Sequence, residues 1–483
     1  MILSFRDNPP SINMTIVGFG QAGSRIADKF ASYKTRDGKP VYNCLALNSN
    51  DGDLEELRHI APDNRISLKL GGLGKNPEKA LQILEQNEQV KENLKEFVTK
   101  KVRVEDTLVL FIAGLGGGTG TATIVKAVEE FHEFYNLKLV KQALFKIREQ
   151  VGDADFKQNI KKYQVDAYNK VKDQFKKIGI IATIPVRSDG PDVLRQVNDF
   201  ASRIWAMAKN PTKGISFVSF PDNQMFYERF INERDSSSKN YRDFANSEIS
   251  SILHELNTAT NGSGTSVIMD SNDFKRVVHE KEGCFVINRV QKNVKSISNT
   301  DDLTNLFVSS VSSNNLHDPI ALQEIDEQGQ NVFARVHHVG LLGIMPPELN
   351  KLGSSFIDNA KEEVSKKLPL QGTIFSGYLS ENNNFNATVY SFYKTDALPI
   401  RLSKGLVKEY EEFMAKQKQV TYKQDSIQQI AATADEDLDL DLDLTDFGIS
   451  LEELGISDKK EEITEDINID NMDFSNINPN DIN

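Results

Sequence analysis

A chain of 483 residues, 39% hydrophobic and 26% charged, is too long for one small core and has the composition of a folded globular protein. No apolar run approaches the roughly 20 residues of a membrane-spanning helix, and the opening MILSFRDNPPSIN lacks a basic stretch leading into an apolar one. Cys44 and Cys284 make neither a disulfide framework nor a metal-ligand spacing, so a cytoplasmic protein with no direct membrane association is expected.

The net charge of −13 belongs to one end of the chain. From Asp435 onward 17 acidic residues face only Lys459 and Lys460, a net of −15, which leaves the remainder at +2. A near-neutral body makes no general case for direct nucleic-acid binding.

In chain order, MTIVG (14–18) reads as a strand that enters a glycine loop and then a helix from about Ser24. VYNCLALNS (41–49) is a second strand, and residues 76–101 form one helix with Pro77 in its first turn. DTLVLFIAG is a strand, followed by a helix over TATIVKAVEEFHEF. KIGIIATIPV and GISFVSFP are further strands with the helix DVLRQVNDFASRIWAMAK between them, and residues 240–260 form a long helix. β-branched strands alternating with helices predict a parallel sheet covered on both faces. From about 274 to 396 shorter strands (GCFVINRV, ARVHHVGLLGIM, ATVYSFYK) predict a second, smaller α+β domain.

A helix is expected from about Ile400 towards Ile430, with Leu402, Leu406, Tyr410, Phe413, Gln417 and Val420 along one stripe. Beyond Ala434 the acidic DEDLDLDLDLTDF and an Asn/Asp-rich end lack the apolar content to fold, and disorder is expected.

Three glycine-bearing loops stand at strand-to-helix junctions. GFGQAG (Gly18–Gly23) matches GxGxxG, the dinucleotide pattern, but Asn48 stands where such folds carry an acidic residue after the second strand. GGLGK (Gly71–Lys75) is followed by Asn76, not the Ser or Thr of a P-loop, and lacks its upstream glycine. GLGGGTGTAT places five glycines in the seven positions Gly114–Gly120. Loops of this kind present backbone N–H groups to anions, and several converging on one crevice suit a nucleotide di- or triphosphate.

These motifs resemble the tubulin/FtsZ superfamily of polymerising GTPases: GLGGGTGTAT its signature loop, GQAGSRIAD (20–28) tubulin's first phosphate loop, and GGLGKNPEKA (71–80) an FtsZ loop near the γ-phosphate. The resemblance spans residues 14–280 and implies GTP/GDP and Mg²⁺ as ligands. By it, Gly20, Gln21, Ala22 and Gly23 would cradle the α- and β-phosphates, with Gln21 near the metal. Gly116, Gly117, Gly118, Thr119 and Gly120 would hold the β- and γ-phosphates, flanked by Gly72, Gly74 and Asn76, with Asn48 also in the nucleotide pocket. Asp189 falls at the ribose-binding acid, Asn246 at the guanine-reading asparagine, and Tyr241 or Phe244 at the stacking aromatic. MDSNDFKRVV (269–278) resembles the loop in which two acids three residues apart, here Asp270 and Asp273, activate water on the next subunit's nucleotide. Ile268 replaces an asparagine frequent in the family.

The implied architecture is a GTP-binding domain (12–245), a central helix and loop (246–273), an α+β domain (274–396), a C-terminal helix (397–432) and a disordered acidic tail (433–483). Residues 136–178 form an insertion with 11 basic and 5 acidic residues, and the tail shows no membrane-adaptor peptide of FtsZ type. The long late helix resembles TubZ, the plasmid- and phage-borne group. The expectation is therefore a head-to-tail homopolymer that moves plasmid or phage DNA. It would act through a DNA-binding adaptor on the C-terminal helix and tail, with Lys404, Lys408, Lys416, Lys418 and Lys423 as candidate contacts. An FtsZ-like division or cell-shape filament is the alternative, and a dinucleotide-dependent oxidoreductase the remote one.

Overall fold

The computed structural model describes residues 4–71, 73, 75–233, 238–262, 267–325, 328–381 and 385–419. Gly72, Gly74, Val420, Lys423 and the acidic tail lie outside the described residues, as does the side chain of Lys418. Residues up to Tyr410 form one compact unit; a second, Glu411–Met472, contributes only the end of the last helix to what is described.

The chain runs β1 (Met14–Phe19), α1 (Gly20–Ala31), β2 (Asn43–Asn48), α2 (Asp51–Glu55), β3 (Arg65–Ser67), α3 (Pro77–Gln86), α4 (Glu88–Lys100), β4 (Leu108–Gly114) and α5 (Gly118–Phe131). The insertion follows as α6 (Lys138–Val151), α7 (Asp153–Gln158) and α8 (Ile160–Val171). Then come β5 (Lys177–Thr183), α9 (Pro191–Ala208), β6 (Ile215–Ser219), α10 (Asn223–Glu233), α11 (Tyr241–Ala259) and α12 (Ser271–His279). The last part is β7 (Cys284–Asn293), α13 (Thr300–Ser310), the hairpin β8 (Gln323–Ile325) and β9 (Asn331–Phe333), β10 (Val336–Met345), α14 (Ser355–Lys367), β11 (Ile374–Ser380), β12 (Asn386–Thr395) and α15 (Leu406–Gln419).

Ten strands form one sheet in the order β11-β10-β12-β7-β6-β5-β4-β1-β2-β3. β1 to β6 are parallel throughout. β4 (LVLFIAG) is buried along Leu108–Ala113, as a parallel strand with helices on both faces must be. β12 pairs antiparallel with both β7 and β10, and β6 meets β7 at Val218–Cys284, so the strands after residue 280 extend the same sheet.

Three helices differ from the sequence reading, the first being α1, which begins at Gly20 rather than about Ser24. The expected helix 76–101 is broken at Asn87, whose N–H closes α3 on Ile83 O while its side chain accepts from Val90 N–H to start α4. α5 begins at Gly118 rather than Thr121, inside the glycine run.

The long α11 packs on α1, and its buried Asn257 and His254 find partners within the core. The Asn257 side chain accepts from Ile12 N–H (2.8 Å) and donates to Ile12 O (2.9 Å). His254 stacks on Tyr33 at 3.8 Å, with its Nδ1 3.0 Å from the Tyr42 hydroxyl. Burial pushes His254 down to about 4, and His132 and His279 down to about 3. These rings fold neutral but protonate in the unfolded chain near the ordinary value of 6.5. Their contribution is thus complete above that pH and falls by about 1.4 kcal/mol per histidine per pH unit below it. Urea unfolding between pH 7 and pH 4 is expected to show a midpoint falling from about pH 6.5, with a shallower fall in His254→Gln. A midpoint flat to pH 4 contradicts the neutral buried rings.

Candidate functional site

The chain leaves β1 towards β2 and β3, then returns to place β4 on β1's other side, so the strand order reverses between β1 and β4. In a parallel sheet such a reversal opens a crevice at the carboxyl ends of the strands. A cavity of about 760 Å³ lies there, walled by the segments that follow β1, β2, β4, β5 and β6.

Two helices start in this crevice without a side-chain cap: α1 at Gly20, after Phe19, and α5 at Gly118, after Gly117. First-turn N–H groups have no partner within their own helix, and with the helix dipole they favour an anion. Gly20 (φ +66°) and Gly120 bring the two loops into backbone contact. A Cβ on Gly20 would stand 2.7 Å from Gly120 N, and one on Gly120 2.7 Å from Phe19 O. Gly118 lies against the third loop, where its Cβ would meet Asn76 N at 3.2 Å.

Of the residues expected from sequence, Gly20, Gln21, Ala22, Asn48, Gly116, Gly117, Gly118, Thr119, Gly120 and Asp189 line the cavity. Gly23 instead packs on β4, where a Cβ would fall 2.1 Å from Ile112 O. Asn76 caps α3, accepting from Lys79 N–H at 3.0 Å. Tyr241 and Asn246 lie half-buried along α11 outside the cavity lining, to which α11 contributes Arg242. Phe244 is buried against Phe226 and Phe230, which leaves Tyr241, under the Arg242 guanidinium, as the accessible ring of the two.

Sequence reasoning missed Asp53, Ser49, Arg25, Arg242 and Asn223. Asp53 accepts from Gln21 Nε2 and from Asn48 Nδ2, each at 2.9 Å. The Ser49 and Thr119 hydroxyls are 2.7 Å apart. Acidic residues directly after the second strand (NSNDGD) were the available signal. Among the described residues no group of three or more His, Cys, Asp or Glu could hold a metal alone. Mg²⁺, however, is ordinarily held by one or two carboxylates together with substrate phosphates. Asp53, with Gln21 beside it, fits that pattern.

Asp270 and Asp273 lie elsewhere. Asp270 is the N-cap of α12, accepting from the N–H groups of Asn272 (2.7 Å) and Asp273 (2.9 Å), while Asp273 accepts from Asp270 N–H (3.3 Å). This reciprocal capping box leaves Asp270 committed to the helix start. Partial burial raises the Asp273 carboxyl, opposed by its bond from Asp270 N–H. Ser271 bonds Ser11, just before β1, so the acids stand at the amino ends of the strands, opposite the crevice. The far end of α12 is pinned by buried Lys394, whose Nζ donates to Val278 O (2.9 Å), Ser216 O (3.1 Å) and Lys281 O. Burial pushes Lys394 down to about 7.

A larger cavity of about 930 Å³ opens at that amino edge, by Asp106, Lys177 and Ser216. It lies at the strand starts, away from the uncapped starts of α1 and α5, so chemistry rather than volume selects the smaller crevice.

The sheet, the long α11 and the paired glycine loops define the tubulin/FtsZ type of fold. GDP-form and GTPγS-form protofilaments of TubZ from Bacillus thuringiensis serovar israelensis both superpose with a TM-score of 0.61 at 19% identity. They cover 86% of this chain and 94% or 95% of theirs. The type III plasmid segregation protein TubZ superposes at 0.60 with 20% identity, over 87% of this chain and 96% of its own.

In sequence the chain is TubZ-like. TubZ of Bacillus cereus is 26% identical over 275 residues, 56% of this chain and 53% of TubZ. CetZ of Pyrococcus furiosus is 36% identical over 133 residues, 26% of this chain and 33% of CetZ. The chain thus spans about half the length of the TubZ relative it matches. No protein-family model matches it. Among the described residues no helix is long and apolar enough to cross a membrane.

Proposed function

We propose that the chain is a self-assembling GTPase whose subunits stack head to tail, each completing its neighbour's hydrolysis site. One observation carries this reading: the anion crevice and the Asp270–Asp273 loop sit at opposite edges of the same sheet. The 19 residues of α11 between them span about 28 Å at 1.5 Å per residue. No carboxylate so placed reaches a phosphate in its own crevice, whereas a second copy stacked on the first could present it there.

In this reading the uncapped N–H groups of α1 and α5 hold the phosphates, and the Thr119 hydroxyl, positioned by Ser49, adds a donor. Asp53 and Gln21 would hold Mg²⁺, which when bound offsets charge developing on the β- and γ-phosphates. Asp273 of the stacked copy accepts a hydrogen bond from water and aims its oxygen at the γ-phosphorus. The water oxygen bonds to the γ-phosphorus as the bond from γ-phosphorus to the bridging oxygen breaks; GDP leaves with that electron pair, and both water protons end on the released phosphate. Guanine as the base rests on the likeness to TubZ, whose solved forms carry GDP and GTPγS.

The likeness to a plasmid segregation TubZ supports a DNA-moving role, and we propose an adaptor protein as the link to the DNA. Lys408 and Lys416 on α15 remain its candidate contacts, whereas Lys404 is already paired with Glu324 at 2.8 Å. A site shared between copies requires GTP turnover per molecule to rise with protein concentration. A rate per molecule independent of concentration would sink the shared site; a chain that binds no GTP would sink the nucleotide reading.

A further inference from the structure

The crevice wall formed after β5 and β6 is joined to the root of the C-terminal helix through Arg401, with Arg187 beside it. Arg401 is 3% exposed and belongs to the turn Arg401–Gly405 that leads into α15. Its Nη1 donates to Pro185 O (2.8 Å) and Asp222 Oδ1 (2.6 Å). Its Nε and Nη2 donate to the two carboxylate oxygens of Glu409, each at 3.0 Å. Arg187 Nε donates to the same carboxylate at 3.0 Å, and Arg187 N–H to Gln224 Oε1 at 3.1 Å.

Both held segments face the crevice: Pro185 and Asn223 line it, and Asn223 N–H bonds Ile184 O at 3.0 Å. Pro185 also supports the glycine loop, since a Cβ on Gly116 would stand 3.0 Å from the Pro185 Cβ. A contiguous path therefore runs from Glu409 through Arg401 and Pro185 to Gly116. A buried ion pair is a poor source of stability compared with apolar packing. A rigid guanidinium fork, however, can hold three separate segments in one register, as no apolar side chain can.

We propose that Arg401 and Glu409 are positioning residues for the nucleotide crevice, so that nucleotide occupancy and the seating of the first turns of the C-terminal helix depend on each other. This rests on the nucleotide reading above. Pro185, Asp189 and Asn223 move with the phosphate-holding loop when a ligand orders the crevice, and Arg401 carries that order to Leu406–Tyr410. By linkage the effect is reciprocal: loosening Glu409, which is no part of the crevice lining, weakens nucleotide binding by the same factor.

The test is hydrogen exchange over residues 401–410 of the full chain, with and without GTPγS, beside equilibrium binding of GTPγS. The wild type is expected to exchange at least about fivefold more slowly there when GTPγS is bound, and Glu409→Gln to lose that protection and bind about fivefold more weakly. Arg401→Lys keeps the charge but not the fork and is expected to behave like Glu409→Gln, with an unchanged circular dichroism spectrum. If the wild type binds GTPγS while exchange over 401–410 stays the same, or if Glu409→Gln binds with wild-type affinity, the coupling is overturned. If the wild type does not bind GTPγS, the nucleotide reading itself fails, and the coupling with it.

Discussion

Gly120→Val is expected to lower nucleotide affinity at least about 100-fold, equivalent to about 2.7 kcal/mol of binding free energy. A Cβ at this position would stand 2.7 Å from Phe19 O and 3.3 Å from Phe19 C, both backbone atoms at the start of α1. Backbone cannot step aside as a flexible side chain can, so α1 and α5 must separate, and their uncapped N–H groups no longer converge. Gly52→Ala, on α2 and outside the crevice lining, is the matched control. The nearest atom to its Cβ is Asn50 Oδ1 at 3.5 Å, an ordinary contact, and its helical backbone accepts alanine. That variant is expected to stay within about threefold of wild-type affinity, a difference of about 0.6 kcal/mol. Titration with a fluorescent GTP analogue, after circular dichroism has shown both variants folded, separates the cases. Equal affinities for the two variants would place the ligand somewhere other than between α1 and α5.

Asp273→Ala is expected to assemble with GTP but to hydrolyse it about 100-fold or more slowly, the scale on which one positioned carboxylate acts. Its filaments should persist where wild-type filaments turn over, as read by sedimentation and phosphate release on the same sample. Asp270 needs separate treatment, because its carboxylate already accepts two backbone N–H groups at the start of α12. Asp270→Asn keeps a good capping side chain and is expected to retain most turnover, whereas Asp270→Ala should lose about 1 kcal/mol of helix stability. Wild-type turnover in Asp273→Ala would remove Asp273 from the mechanism. A loss in Asp270→Asn as deep as in Asp273→Ala would return Asp270 to it.

Much of the crevice lining is legible in the sequence, because close backbone approach demands glycine and strand–glycine–helix order is a local pattern. The run Gly116–Gly120 and the Gly20–Ala22 stretch stand out by spacing together with the family resemblance, and both line the crevice. Asp53 could not, since an acidic residue in NSNDGD reads as an ordinary solvated turn until the sheet brings Gln21 and Asn48 to it. Gly23 shows the converse: the motif marks it, but its closeness to Ile112 O is a matter of helix–sheet packing. The break at Asn87 was also illegible, because the sequence around it keeps helical periodicity and only the paired caps reveal the stop.

By itself the sequence determined the alternation of strands and helices, the two glycine loops that need bare backbone, and the spacing of Asp270 and Asp273. Each of these is a local requirement of chain conformation or of residue type. Only the tertiary structure decided which loops share a crevice, that the two acids stand at the opposite edge of the sheet, and that Arg401 reaches Pro185, Asp222 and Glu409 at once. Those relations join residues as many as 260 positions apart. They are set by strand order and by burial, which makes an unpaired polar group costly and so selects its partners from wherever the fold brings them.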